Sequence, residues 1–155
     1  MSVDATALLE SLQEKAITLA KTNPKHPYGT VIAYADGNVL AFAVNDAADS
    51  PLRHGEMLAL ENLFKDTLSD VELSQCTLVT TAEPCPMCAG AIFWSGIGRV
   101  VYGTSIATLQ SLGVKQLALS ASEVLGKCSK PPELIGGVLE AKCNALFEQA
   151  AKQQR

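Results

Sequence analysis

Two short stretches of this chain hold residues whose types and spacing suit chemistry at a metal ion. RHGEM contains His54 and Glu56, and EPCPMC contains Cys85 and Cys88. A C-x-x-C pair at a helix start can bind one ion through both sulfurs, because the turn brings side chains three apart onto one side. The positive end of the helix also lowers the pKa of the thiols, which favours the form that binds metal. With a histidine, these cysteines supply three ligands of the types that Zn²⁺ prefers and leave a fourth position open.

Glu56 gives such a centre a group that can move protons. A carboxylate beside the ion can take a proton from water, whose pKa zinc lowers toward roughly 7, and pass it to a leaving group. Three ligands, a carboxylate and an open position together predict a hydrolytic centre. The order H-x-E followed by P-C-x-x-C is the signature of zinc-dependent nucleobase deaminases.

The two cysteines taken alone also fit two other kinds of site. A thioredoxin-like redox pair needs the βαβ context of that fold, and it leaves the upstream H-x-E pattern unexplained. A closed structural zinc site needs a fourth ligand, for which His26, Cys128 and Cys143 are the candidates. As lone residues, Cys76, Cys128 and Cys143 are more simply interpreted as small core residues.

The elements that must position these residues follow from the hydrophobic pattern. Apolar residues at helical spacing predict a helix from Val3 to about Thr22. YGTVIAYADGNVLAFAV predicts a β-hairpin with its turn at Asp36-Gly37-Asn38. Ser50-Pro51 predicts the N-cap and first turn of a second helix that starts close to His54. Its residues at helical spacing are Met57, Leu60, Leu63 and Phe64.

Strands and helices alternate in the rest of the chain. CTLVTTA predicts a third strand, PMCAGAIFWSG a helix that ends at Gly96, and GRVVYGTS a fourth strand. ATLQSL and SASEVLG predict short helices, and ELIGGV a fifth strand. The last helix is expected to carry on one face Leu139, Cys143, Leu146, Phe147 and Ala150. A hairpin followed by this alternation predicts a three-layer α/β/α fold around a five-stranded mixed sheet, with both helix starts meeting at one sheet edge.

Length and charge limit the classes of function. The 155 residues are predicted to form one domain over 1–155, with 48% apolar and 18% charged residues. The net charge of −4 and the scattered basic residues argue against a nucleic-acid partner. MSVDATALLE has no signal-peptide pattern, and no apolar run approaches the roughly 20 residues of a membrane span. We therefore predict a cytoplasmic protein without a membrane partner.

The chain resembles the cytidine deaminase superfamily, in the branch of guanine deaminases, fungal-type cytosine deaminases and bacterial tRNA adenosine deaminases. HGE, PCPMCAGAI and IGRVVYG carry this resemblance from about Pro27 to Gly103, and ELIGGVLEAKCNALF extends it more loosely. It implies the cytidine deaminase-like fold, a homodimer, and one Zn²⁺ per chain with a bound water or hydroxide. It also implies Glu56 as the proton shuttle in a reaction that releases ammonia from an amino-bearing ring carbon. The metal ligands that it implies are His54, Cys85 and Cys88.

The resemblance also implies residues that contact the substrate. Asn45 matches an asparagine whose amide contacts the base, and Tyr28 in HPYG matches an aromatic residue of guanine-type members. Trp94 matches a tryptophan often found in guanine deaminases, and Gly55 in HGE matches fungal-type cytosine deaminases. Ordinary core packing also accounts for the two aromatic residues, a turn for Asn45, and close packing for Gly55.

The substrate remains open among several classes. SLGVKQ stands where guanine deaminases commonly carry an aromatic-acidic sequence that reads the base, and the tail AAKQQR has no closing aromatic residue. We therefore predict a small free nucleobase with a 2-amino-4-oxo edge, of the isocytosine or guanine type. Cytosine is the first alternative and tRNA adenosine the next. Outside the enzymes, the alternative is a zinc-stabilised binding module.

Overall fold

A computed structural model describes residues 2–66 and 70–154 of the chain. Its helices are α1 (Val3–Ala20), α2 (Gly55–Lys65), α3 (Pro86–Ser95), α4 (Ile106–Ser111), α5 (Ala121–Leu125) and α6 (Glu140–Gln153). Its strands are β1 (Gly29–Ala33), β2 (Val39–Val44), β3 (Thr77–Ala82), β4 (Arg99–Thr104) and β5 (Glu133–Ile135). No helix in the described ranges is long and apolar enough to cross a membrane.

The five strands form one mixed sheet in the order β2-β1-β3-β4-β5. β1 is antiparallel to β2 and to β3, whereas β3, β4 and β5 run parallel. The β1–β2 hairpin turns where the sequence predicts it, because Gly37 adopts a φ of 90° and the Asp36 carboxylate accepts the Asn38 N–H at 2.9 Å. The predicted mixed sheet is confirmed.

Helices cover both faces of this sheet. Ile32, Leu78 and Val100 face one way and pack against α2, α3 and α5. Their neighbours Val31, Val79 and Val101 face the other way and pack against α1. Because both faces are covered, every residue of β1 and of β3 is buried, including the threonines of both strands. The three-layer α/β/α prediction is therefore confirmed.

The start of α2 differs from the prediction. Ser50 is not its N-cap, because residues 50–53 form a separate turn in which the Arg53 N–H donates to the Ser50 carbonyl at 3.0 Å. The Arg53 carbonyl accepts the Asp46 N–H at 2.9 Å and the His54 N–H donates to the Leu52 carbonyl at 2.9 Å, so this turn does not continue into the helix. α2 therefore begins at Gly55 with His54 as its N-cap, close to the predicted point.

The C-terminal elements are shorter than predicted. β5 ends at Ile135 because two glycines follow, of which Gly137 has a φ of 78°. Leu139 has a φ of 52° and is the N-cap of α6, so it does not lie on the helical face that the sequence predicts. Cys143, Phe147 and Ala150 are buried on that face, as expected.

Candidate active site

The two predicted helix starts meet at one point of the sheet. The antiparallel pairing of β1 with β3 places the beginning of β1 beside the end of β3, and α3 follows β3 directly. The first turn of α2 packs on β1 so closely that a Cβ on Gly55 would lie 2.6 Å from the Tyr28 carbonyl oxygen. The glycine is therefore required by packing, and it sets the position of His54.

His54, Cys85 and Cys88 form a compact group. His54 Nδ1 lies 3.6 Å from each of the two cysteine sulfurs, and one ligand atom of each residue lies within 4.8 Å of the others. His54 is the N-cap of α2, and Cys85 is the N-cap of α3 with Pro86 as the first helical residue. One nitrogen and two sulfur donors are the set expected for Zn²⁺ at a site with an open position.

The other possible ligands do not join this group in the described parts of the chain. His26 is exposed, and Cys128 packs against the core on the α2–α3 side of the sheet. Cys143 is buried against β4, where a Cβ on Gly103 would lie 2.3 Å from its sulfur. Cys76 is also buried, and all five cysteines are free thiols. The three-ligand set argues against a closed structural zinc site.

The two cysteines differ in their affinity for protons. Hydrogen bonds from Cys88 and His54 lower the pKa of Cys85 to about 4, although burial acts in the opposite direction. The hydrogen bond with Cys85, together with burial, raises the pKa of Cys88, so the pair shares one proton. The hydrogen bond to Cys85 raises the pKa of His54. Because a metal binds the deprotonated ligands, it must displace the proton on Cys88.

Glu56 is a buried carboxyl group held between two strands. Its side chain is 4% exposed. Its Oε1 accepts the hydroxyl of Thr30 on β1 at 3.4 Å and that of Thr80 on β3 at 3.3 Å. Burial raises the pKa of Glu56, and the charge of Cys85 raises it further. A carboxyl group with a raised pKa is suited to take up and release a proton near neutral pH.

A cavity of about 460 Å³ opens onto this group. Glu56, His54 and Cys85 lie in it together with Asn45 and Tyr28. The backbone of Asn45 is fixed, because its N–H donates to the Tyr28 carbonyl at 3.0 Å and its own carbonyl accepts from Asn23 at 2.9 Å. The volume lies within the range of small-molecule sites.

Tyr28 contributes to both the core and the cavity. Its ring packs against Phe147 of α6, with 5.0 Å between the ring centroids. Burial raises its pKa to about 12, so the hydroxyl group remains protonated, and a hydrogen bond with Gln116 partly opposes that increase. Tyr28 can therefore pack in the core with its ring and contact a ligand in the cavity with its hydroxyl group.

The structure does not bring Trp94 to this cavity. The side chain is 84% exposed on the outer side of α3, where its ring lies 5.1 Å from that of Phe93. Six residues along a helix correspond to about 9 Å of rise and about 120° of rotation, which turns Trp94 away from Cys88. It lines a separate groove instead, with Met57 and Phe64 of α2.

Several cavity residues were missed from the sequence. Glu83 was visible only as a carboxylate just before the C-x-x-C pair. Lys115 and Gln116 belong to SLGVKQ, which the resemblance places at a base-reading position, and His26 was considered only as a fourth zinc ligand. The segment between α4 and α5 reaches the cavity with Lys115, Gln116 and Leu117, which are far along the chain from the ligands. The remaining lining residues that sequence reasoning missed are His26, Ala47, Pro51, Leu52 and Met87.

Comparisons with known proteins agree with this geometry. Residues 5–104 match the family described as the cytidine and deoxycytidylate deaminase zinc-binding region. The probable cytosine deaminase of Schizosaccharomyces pombe is 38% identical over 127 residues, which are 78% of this chain and 76% of that protein. The guanine deaminase of Bacillus subtilis is 36% identical over 99 residues, or 60% of this chain and 62% of that protein.

Two further comparisons cover nearly the whole chain. The tRNA-specific adenosine deaminase of Bacillus subtilis is 29% identical over 161 aligned positions, which span 100% of this chain and 95% of that protein. The solved structure of the guanine deaminase from Nitrosomonas europaea has a TM-score of 0.77 at 24% identity, and the match covers 92% of this chain and 84% of that one. That structure has the same fold.

Proposed function

We propose that this chain, which belongs to the cytidine and deoxycytidylate deaminase family of zinc-binding proteins, removes the amino group of a small free nucleobase. The proposed substrate has a 2-amino-4-oxo edge, as in isocytosine and guanine, and the reaction replaces its amino group by oxygen and releases ammonia. The observation that carries the proposal is the joint placement of His54, Cys85 and Glu56 in one small cavity, with the buried Cys88 sulfur 3.6 Å from His54 Nδ1.

Each residue of this group has a separate part in the proposed reaction. His54, Cys85 and Cys88 hold the zinc ion, which when bound supplies a Lewis acid that lowers the pKa of water toward about 7. Glu56 would carry two protons in turn: the first from the attacking water to the ring nitrogen, and the second from the hydroxyl group then on the ring carbon to the amine, which leaves as ammonia. Both threonine hydroxyls bind its Oε1, so they fix the carboxyl plane without using Oε2.

Asn45 and Tyr28 are the proposed contacts to the base. The Asn45 amide offers one donor and one acceptor side by side, which matches an edge where a carbonyl group adjoins a ring N–H. The Tyr28 hydroxyl stays protonated because burial raises its pKa to about 12, so it is available as a donor. Leu52 and Leu117 add apolar surface at the rim, which suits an uncharged ring.

Cytosine is the second candidate substrate, and one observation favours it. The relative with 38% identity carries the name probable cytosine deaminase. A tRNA substrate has less support, because a net charge of −4 provides little attraction for phosphates. A binding module without activity has less support still, because it would not need Glu56 buried at the metal site.

Ammonia release by the zinc-loaded protein tests the proposal. The compounds are isocytosine, guanine, cytosine, adenine, their nucleosides and a tRNA anticodon stem, with the Glu56→Gln protein as a control for contaminating deaminases. We expect the highest kcat/KM for isocytosine or guanine. Higher values for cytosine would replace the proposed base, activity on tRNA alone would overturn the substrate class, and no ammonia from any compound would favour a binding module.

We also propose that two copies of the chain associate through the outer surfaces of α2 and α3. A groove of about 550 Å³ lies there, lined by Met57, Phe64 and Trp94, and its rim carries Glu61 and Lys65. An exposed apolar patch with a polar rim is typical of a protein interface. A two-fold axis would allow Glu61 of each copy to face Lys65 of the other, so that the surface complements itself.

Replacement of Trp94 by glutamate is expected to weaken this dimer by about 30-fold or more, because a charge replaces a central aromatic anchor. Sedimentation equilibrium of the wild-type and Trp94→Glu proteins measures the change. Val3→Glu is the matched control, since Val3 is 85% exposed at the start of α1 and away from the groove. A monomeric wild-type protein, or an unchanged dimer of the Trp94 variant, would contradict this interface.

A further inference from the structure

Glu83 is a buried carboxylate that the proposed reaction does not use. It lies between β3 and α3, with Pro84 between it and Cys85, and its side chain is 8% exposed. It lines the same cavity as the candidate metal ligands. Its partners lie elsewhere in the chain: Oε1 accepts the Ile106 N–H at 2.9 Å, and Oε2 accepts the Ala121 N–H at 2.8 Å.

These two N–H groups open two different helices. Ile106 is the first residue of α4 and Ala121 is the first residue of α5, and N–H groups at that position have no partner within their helix. The serine N-caps serve other residues, because Ser105 accepts from Thr108 and Ser120 accepts from Glu123. One carboxylate therefore holds the beginnings of α4 and α5 together beside the loop that carries Cys85.

The segment 112–120 connects these two helices and brings Lys115, Gln116 and Leu117 to the cavity. Its backbone hydrogen bonds in the described chain are local. The N–H groups of residues 112–114 donate to carbonyls of residues 108–110, and Leu119 donates to Leu117. Apolar packing of Leu109 and Leu125 holds α4 and α5 on the core, and the two hydrogen bonds of Glu83 tie the beginning of each helix to the loop before α3.

Glu83 is held in place by one backbone donor on each oxygen. Both of its oxygens accept from backbone N–H groups, which can only donate. Glu83 therefore acts on the residues that follow these two helix starts.

We propose that Glu83 is a positioning residue, which places Lys115, Gln116 and Leu117 relative to Cys85 and thereby sets the affinity and choice of the base. The kinetic part of this inference rests on the proposed deaminase function. A role limited to stability would lower the melting temperature and leave KM and substrate preference unchanged.

Glu83→Gln tests the inference, because glutamine has the same shape but only one acceptor oxygen, and its amide N–H₂ would face a backbone N–H. Loss of a charge-assisted hydrogen bond changes an equilibrium constant by about 10-fold or more. We expect KM for the best base to rise by that factor, the isocytosine-to-cytosine ratio of kcat/KM to change, and kcat to stay within about threefold. Zinc content should remain at the wild-type value.

Two other variants complete the test. Glu123→Gln makes the same chemical change in the capping box of α5, away from the cavity, and should leave KM unchanged. Ala121→Pro removes one donor to Glu83 at a helix position that accepts proline, so it should raise KM even if Glu83→Gln does not fold. An unchanged KM in a folded Glu83→Gln or Ala121→Pro protein, or zinc loss from Glu83→Gln, would overturn the inference.

Amide hydrogen exchange separates this inference from the proposed function. In the wild-type protein the amides of Ile106 and Ala121 should exchange slowly, and at least one should exchange about 10-fold faster in Glu83→Gln. This readout needs no turnover. Absence of ammonia from all compounds overturns the proposed function, whereas unchanged exchange of both amides in Glu83→Gln overturns the role of Glu83.

Discussion

Replacement of Glu56 by glutamine is expected to lower kcat by about 10³-fold while the protein keeps its zinc. General acid–base groups contribute on that order, and a neutral amide cannot take a proton from water near pH 7. Glutamine still offers an oxygen to the Thr30 and Thr80 hydroxyls, which donate to Glu56 Oε1. The fold and the three candidate ligands should therefore be retained.

The measurement combines kcat from ammonia release, metal content by mass spectrometry and the melting temperature. Glu10→Gln is the matched control, since Glu10 is exposed on α1 and outside the cavity. Near-normal turnover of Glu56→Gln would remove Glu56 from the proton transfers. Loss of zinc from the same variant would instead indicate that the carboxylate is a ligand.

Replacement of His54 by alanine is expected to remove zinc and activity together. Removal of a side chain that hydrogen-bonds to a metal ligand weakens metal binding by about 10- to 100-fold. Removal of the ligand itself should weaken metal binding more than this. The His54 side chain makes no capping hydrogen bond to α2, so alanine should leave the start of the helix unchanged. Cys85→Ser should have the same effect, because a serine hydroxyl replaces a thiol whose pKa is lowered to about 4.

Zinc content after dialysis against a chelator, with circular dichroism for the fold, tests this prediction. Cys128→Ser is the control, because Cys128 is a free, partly buried cysteine that packs against the core outside the cavity. It should keep wild-type zinc and turnover. Full zinc retention in a folded His54→Ala protein would be evidence against the metal site.

Local chemistry explains why much of the fold could be predicted. The Asp36-Gly37-Asn38 turn depends on a glycine with positive φ and on a carboxylate two residues before an N–H, and both are visible in the sequence. Gly96 ends α3 in the left-handed conformation, which glycine adopts without steric cost, so this helix end is also visible in the sequence. Such features need no information about distant parts of the chain.

The incorrect predictions concern residues whose neighbours are set by packing. Ser50-Pro51 has the composition of a helix start, but the Arg53 N–H closes a separate turn on the Ser50 carbonyl, and the Arg53 carbonyl accepts the Asp46 N–H. The resemblance to guanine deaminases implies Trp94 as a residue that contacts the substrate. The rotation of α3 turns it to the surface, where it is 84% exposed.

The sequence by itself determined the chemistry of the candidate centre. The types and spacing of His54, Glu56, Cys85 and Cys88 predict a metal site with a proton carrier, because ligand type and helix-start geometry are local properties. Asn45 and Tyr28, which the resemblance implies, also line the cavity. Only the tertiary structure showed how residues distant in the chain are held around that centre. Glu83 meets Ile106 and Ala121 across 23 and 38 residues of chain. Such contacts follow from how the helices pack on the sheet, and no local pattern specifies them.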